Sequence, residues 1–109
     1  MDEKEVEETI RQQINENIFI LFMKGSPKNP RCGFSARAVE VLNACGEAFA
    51  YVDVLEHPEI RTVLPRIMNW PTFPQFYIKG ELIGGSDILV ELFDAGELQK
   101  KVHAAASNL

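Results

Sequence analysis

Ile18-Phe19-Ile20-Leu21-Phe22-Met23 is the longest uninterrupted apolar run in the chain. It has the length of a strand and falls far short of the about 20 residues that cross a bilayer. The run does not alternate apolar with polar residues, so the strand is expected to be covered on both faces. Its flanks say by what. Upstream, Val6, Ile10 and Ile14 recur every four residues and predict an amphipathic helix over 3–15. Downstream, Gly25 to Arg31 holds Gly, Ser, Asn and two prolines and reads as a loop. Phe34, Ala38, Val41, Leu42 and Cys45 then share one helical face, and Gly46 stands where a helix-ending glycine belongs. A short strand over Ala50 to Val54 follows.

Pro58 suits the first turn of a helix whose buried face is Ile60, Val63, Leu64 and Ile67. Trp70-Pro71-Thr72-Phe73-Pro74 cannot be regular, because two prolines lack donors. Gln75 to Lys79 and Glu81 to Gly84 read as strands joined tightly at Lys79-Gly80. Ser86 and Asp87 are good caps for a helix carrying Ile88, Leu89, Leu92 and Phe93. Gly96 separates it from a last helix with Leu98 and Val102. The order α-β-α-β-α-β-β-α-α predicts an α/β fold: a four-stranded mixed sheet with helices on both faces.

At 109 residues, 46% hydrophobic and 25% charged, the chain is expected to be one soluble domain over 1–109. The start carries Asp2, Glu3, Glu5, Glu7 and Glu8 against Lys4, unlike a signal or transit peptide, which gives the expectation of a cytoplasmic protein. A net charge of −5 argues against a phosphate-tracking nucleic-acid surface, and no membrane association is expected.

Cys32 precedes a predicted helix, where free N–H groups and a partial positive charge favour a thiolate. From Lys24 to Val39 the chain holds Lys24, Lys28, Arg31 and Arg37 and no acid. That setting suits a nucleophile or a soft-metal ligand, against the alternative of an inert buried cysteine. A local two-cysteine mechanism would need Cys-x-x-Cys, and Ser35 holds the second place. Thirteen helical residues would put Cys45 about 20 Å from Cys32, whereas a disulfide tolerates about 7 Å. Cys45 reads as a core residue, and Cys32 must use a thiol from outside the chain. His57 and His103 have no metal spacing and read as surface or capping residues; Trp70 reads as a packing residue of its loop.

Cys32-Gly33-Phe34-Ser35 is the signature of the monothiol glutaredoxins. Lys24-Gly25-Ser26-Pro27, Trp70-Pro71-Thr72-Phe73-Pro74-Gln75 and Gly84-Gly85-Ser86-Asp87 resemble further motifs of that family, in its order and spacing. The chain most resembles the short, single-domain bacterial type. The resemblance implies a thioredoxin-like fold, a cis bond before Pro74 and a glutathione site. Lys24 and Arg61 would meet the glycyl carboxylate. The Phe73 backbone would pair with the cysteinyl part. Ser86 and Asp87 would hold the γ-glutamyl end, with backbone N–H groups at that helix start for its carboxylate. Many relatives carry Cys where this chain has Ser86, so a second thiol near the site is missing.

Two functions follow from the resemblance. The first is binding and transfer of a [2Fe–2S] cluster with Cys32 as metal ligand. Such a cluster generally takes four thiolates. Cys32 from each of two subunits and two bound glutathiones make up that number, the family's homodimeric arrangement. Implied partners are cluster scaffolds, apo iron–sulfur proteins and BolA-like proteins. The second is a glutathione-dependent thiol–disulfide oxidoreductase with Cys32 as its single catalytic, redox-active nucleophile. The stretch Ser26 to Pro30 resembles the loop extension of the cluster carriers. A thioredoxin-like interaction domain without a ligand is the third alternative.

Overall fold

The computed structural model describes residues 2–107. In chain order its elements are α1 (Glu3–Glu16), β1 (Phe19–Met23), β2 (Gly25–Ser26), β3 (Asn29–Pro30), α2 (Gly33–Ala44), β4 (Ala50–Asp53), α3 (Pro58–Ile67), β5 (Gln75–Ile78), β6 (Glu81–Gly84), α4 (Ser86–Asp94) and α5 (Glu97–Ser107). The main sheet runs β4-β1-β5-β6. β1 pairs parallel with β4 and antiparallel with β5, and β5 pairs antiparallel with β6. This is the mixed four-stranded sheet that the element order predicts, and it has the thioredoxin-like form that the resemblance implies.

Both faces of β1 are buried, and its residues serve two cores in turn. Phe19, Leu21 and Met23 pack with α2, α4 and α5, through Ala38, Leu42, Leu89, Leu98 and Val102. Ile20 and Phe22 pack with α1 and α3, through Val6, Ile10, Ile14, Ile60, Val63 and Leu64. Strand period two explains the division, since neighbouring side chains leave a strand on opposite faces. Aromatic pairs extend both layers into β5. Phe19 stacks on Phe76 at 6.3 Å, and Phe22 meets Tyr77 edge-on at 5.7 Å.

The β5–β6 turn is the tight one expected. Lys79 and Gly80 have φ of 48° and 82°, and a two-residue type I′ connection needs positive φ at both. Gly46, with φ of 83°, follows α2 as its stop signal predicts.

The structure corrects several expectations. The stretch from Gly25 to Arg31 is a small hairpin, β2 against β3, closed by Arg31 N–H donating to the Lys24 carbonyl at 2.9 Å. Two-residue strands are too short to show alternation. Phe34 is not on the core face of α2: it is 56% exposed, while Ser35 is fully buried. In a first helical turn the neighbouring strand and loop set which side is covered, and here they cover Ser35. The cap of α4 is Gly85, without a side-chain cap bond, so Ser86 and Asp87 lie in the first turn and are not caps. Pro65 stands inside α3, which the periodic reading passed over. It is tolerated near the helix end, where Trp70 N–H donates to the Pro65 carbonyl at 3.0 Å.

Candidate functional site

Cys32 caps the N-terminus of α2 in an extended conformation, and its carbonyl accepts the Ala36 N–H at 2.9 Å. The thiol is half-buried and held below its ordinary value of 9.0. The Ser35 backbone N–H contributes most. Partial burial opposes it, and the Phe34 N–H, the Lys24 charge and the Ser35 hydroxyl add to the lowering. The helix start therefore supplies the stabilised thiolate that the sequence position predicts. Cys45 ends the same helix, is buried, and has its thiol pushed up by that burial. The two sulfurs are thus kept at opposite ends of α2.

Lys24, just after β1, is held by both of its backbone groups. Its N–H donates to Ser35 Oγ at 3.1 Å, and its carbonyl takes the Arg31 N–H. The next N–H, of Gly25, donates to Asp53 Oδ1 at 2.9 Å, which also accepts from Leu55 N–H at 2.9 Å. One carboxylate at the end of β4 thereby pins the hairpin that precedes Cys32.

The Trp70–Pro74 loop faces Cys32, and its Phe73–Pro74 bond is cis. The α4 start lies beside it. Because Gly85 gives no side-chain cap, the first N–H groups of α4 are free for an outside acceptor. Ser86 is 6% exposed and its Oγ has no partner; Trp70 Nε1 is likewise buried without one.

Lys24, Cys32, Arg61, Phe73, Ser86 and Asp87 all line one open cleft of about 680 Å³. All six residues singled out in the sequence thus meet in space. Two cations lie on it together with the thiol, the loop backbone and a helix N-terminus. Phe34, Pro65 and Trp70 line it too. Sequence reasoning gave Phe34 to the core and Trp70 to loop packing, and it did not single out Pro65. The shared feature that could have found Pro65 and Trp70 is their distance, one helical turn or one residue, from Arg61 and Pro71. His57 begins α3 without a side-chain cap bond, and His103 Nε2 lies 3.2 Å from the Cys45 carbonyl at the end of α2. Among the described residues no three His, Cys, Asp or Glu side chains converge as a metal site. No helix there is long and apolar enough to cross a membrane.

The glutaredoxin family model matches residues 19–83, which hold the thiol, Lys24, Arg61 and the Trp70–Pro74 loop and stop short of the α4 start. The chain belongs to the glutaredoxin family. Glutaredoxin 4 of Escherichia coli (strain K12) is 57% identical over 100 residues, covering 92% of this chain and 87% of that protein. The four-residue motif from Cys32 to Ser35 makes this glutaredoxin a monothiol type. The reduced apo form of poplar GrxS14 is 40% identical, with a TM-score of 0.80, covering 94% of each chain. A buckwheat glutaredoxin–glutathione complex superposes with a TM-score of 0.83 over 95% of this chain and 93% of that one. At 21% identity, that match speaks for the fold of this glutaredoxin alone.

Proposed function

We propose that this glutaredoxin binds glutathione in the Cys32 cleft and carries a [2Fe–2S] cluster between proteins, the cluster being its cargo. The observation that carries the reading is the cleft itself, where one stabilised thiolate stands among groups that match glutathione end to end. Lys24 and Arg61 are cations for the glycyl carboxylate. The Phe73 backbone is free to pair with the cysteinyl part. The open α4 start suits the γ-glutamyl carboxylate, and Asp87 its ammonium.

The donor set supports the cluster. Cys32 is thiolate-prone and reachable, and thiolate is the ligand that iron–sulfur clusters take. One chain offers one such sulfur at the cleft, so the remaining ligands come from a second subunit and from two glutathiones. Exchangeable ligands suit transfer. Scaffolds would load the homodimer, apo-proteins would unload it, and BolA-like proteins would replace one subunit. The cytoplasm, where thiols stay reduced, is the compartment this chemistry fits.

The lowered Cys32 thiol also favours a second reading. The thiolate would attack the glutathione sulfur of a mixed disulfide, releasing the protein thiol. A second glutathione thiolate would then restore Cys32 and leave as oxidised glutathione. Anaerobic reconstitution with iron, sulfide and glutathione separates the two. The carrier gives a visible charge-transfer spectrum, about one iron per chain, and a dimer that Cys32→Ser abolishes. A colourless monomer that deglutathionylates substrate overturns the carrier and leaves the oxidoreductase.

A further inference from the structure

Gln75 is fully buried, and every polar atom of its amide is used. Nε2 donates to the Trp70 carbonyl at 3.0 Å and to the Thr72 carbonyl at 3.1 Å. Oε1 accepts from Tyr77 Oη at 2.7 Å. Tyr77 is itself fully buried, and burial pushes its phenol up, so its O–H keeps the proton that it donates. The two carbonyls decide which way the amide points, because they can only accept: the NH₂ must face the loop, and the oxygen is left to take the phenol.

The loop needs such a clamp. Pro71 and Pro74 supply no N–H, so the loop is short of donors for its own carbonyls. Gln75 takes up two of these carbonyls, those of Trp70 and Thr72. Phe73 stands between Thr72 and Pro74, on the cleft, and neither of its backbone groups is hydrogen-bonded among the described residues. We propose that Gln75, braced by Tyr77, is a positioning residue that fixes the Trp70–Thr72 backbone so that the Phe73 N–H and carbonyl stand free and in register for glutathione. The ligand part of this inference rests on the glutathione reading of the cleft. Gln75 does not touch the ligand; it acts through the loop.

The test uses S-methylglutathione, which has no free thiol, in titration calorimetry on the full chain. It is read beside the ¹⁵N order parameter of the Phe73 amide without ligand. Gln75→Met keeps the length and loses all three hydrogen bonds. It is expected to weaken binding about tenfold and to lower the Phe73 order parameter. Gln75→Glu keeps the shape but cannot donate when ionised. It is expected to bind as weakly at neutral pH and to recover as pH falls and the carboxyl regains its proton, a profile the wild type lacks. Tyr77→Phe leaves Oε1 without its donor while the carbonyls still hold the NH₂, and is expected to cost about threefold. Val102→Ala, in the core on the other face of the sheet, lowers stability and leaves both readouts unchanged.

Wild-type affinity within twofold, together with an unchanged Phe73 order parameter, in Gln75→Met overturns the inference. If Gln75→Met does not fold, a pH-independent, wild-type affinity of Gln75→Glu overturns it equally. A wild type that binds no S-methylglutathione overturns the glutathione reading instead, and the Phe73 order parameter then decides on the loop alone.

Discussion

The N–H of Lys24 donates to the hydroxyl of Ser35 at 3.1 Å, joining the end of the first long strand to the first turn of the thiol-bearing helix. The same hydroxyl helps hold the Cys32 thiol down. The residue that stands in for a second cysteine thus links the Lys24 backbone to Cys32. Ser35→Ala leaves the Lys24 N–H without its acceptor, at a cost of about 1–3 kcal/mol. The unfolding free energy from denaturant titration is expected to fall by that amount, and the Cys32 titration midpoint to rise. An unchanged alkylation profile would sink the second half of this prediction.

Lys24→Ala is expected to raise the Cys32 midpoint only modestly, because the Ser35 and Phe34 N–H groups remain. The check is the rate of alkylation against pH, with Cys32 labelled alone in the folded protein and Cys45 only after unfolding. The sign follows from linkage. A thiol lowered in the folded state stabilises the fold fully above its ordinary value of 9.0, and that contribution is lost as pH falls through the folded value.

Gly25→Ala is expected to cost about 2–5 kcal/mol. Gly25 has φ of 88°, which charges a non-glycine residue about 1–2 kcal/mol. A Cβ there would stand 2.5 Å from the Asn29 oxygen and 2.7 Å from the Arg31 nitrogen, and overpacking of that kind adds about 1–3 kcal/mol. Thermal unfolding measures the sum. Because the hairpin leads straight into Cys32, the alkylation profile of Cys32 is expected to shift along with stability.

Ser86→Ala is expected to move stability and affinity in opposite directions. Ser86 Oγ is buried without a partner in the free protein, so its removal should stabilise by about 1 kcal/mol. If bound glutathione supplies the missing partner, the same change weakens glutathione binding. Parallel melting curves and calorimetry check both signs.

The buried strand, the stop glycine after the first cleft helix and the tight turn at Lys79-Gly80 were legible because each leaves a local signature. The six cleft residues were legible through family motifs, since Arg61 or Asp87 alone looks like any exposed charge on a helix. Three contacts were not. Asp53 reaches Gly25 across 28 positions, Ser35 reaches Lys24 across 11, and Gln75 takes up loop carbonyls that no periodicity marks. Such bonds depend on where whole elements come to rest. For the same reason the stripe reading exchanged Phe34 and Ser35: spacing tells which residues share a face, and tertiary neighbours decide whether a first turn is covered.

The cleft draws Arg61 and Pro65 from the helix layer on one side of the sheet, and Cys32, Ser86 and Asp87 from the layer on the other. A molecule seated there is a staple across the two layers. Neither layer can peel away without giving up half of the contacts, so binding energy becomes a penalty on partial opening as well as on complete unfolding. Saturating ligand should then slow amide exchange in the helix bearing Arg61 and in the helix bearing Asp87 together, and merge two local openings into one.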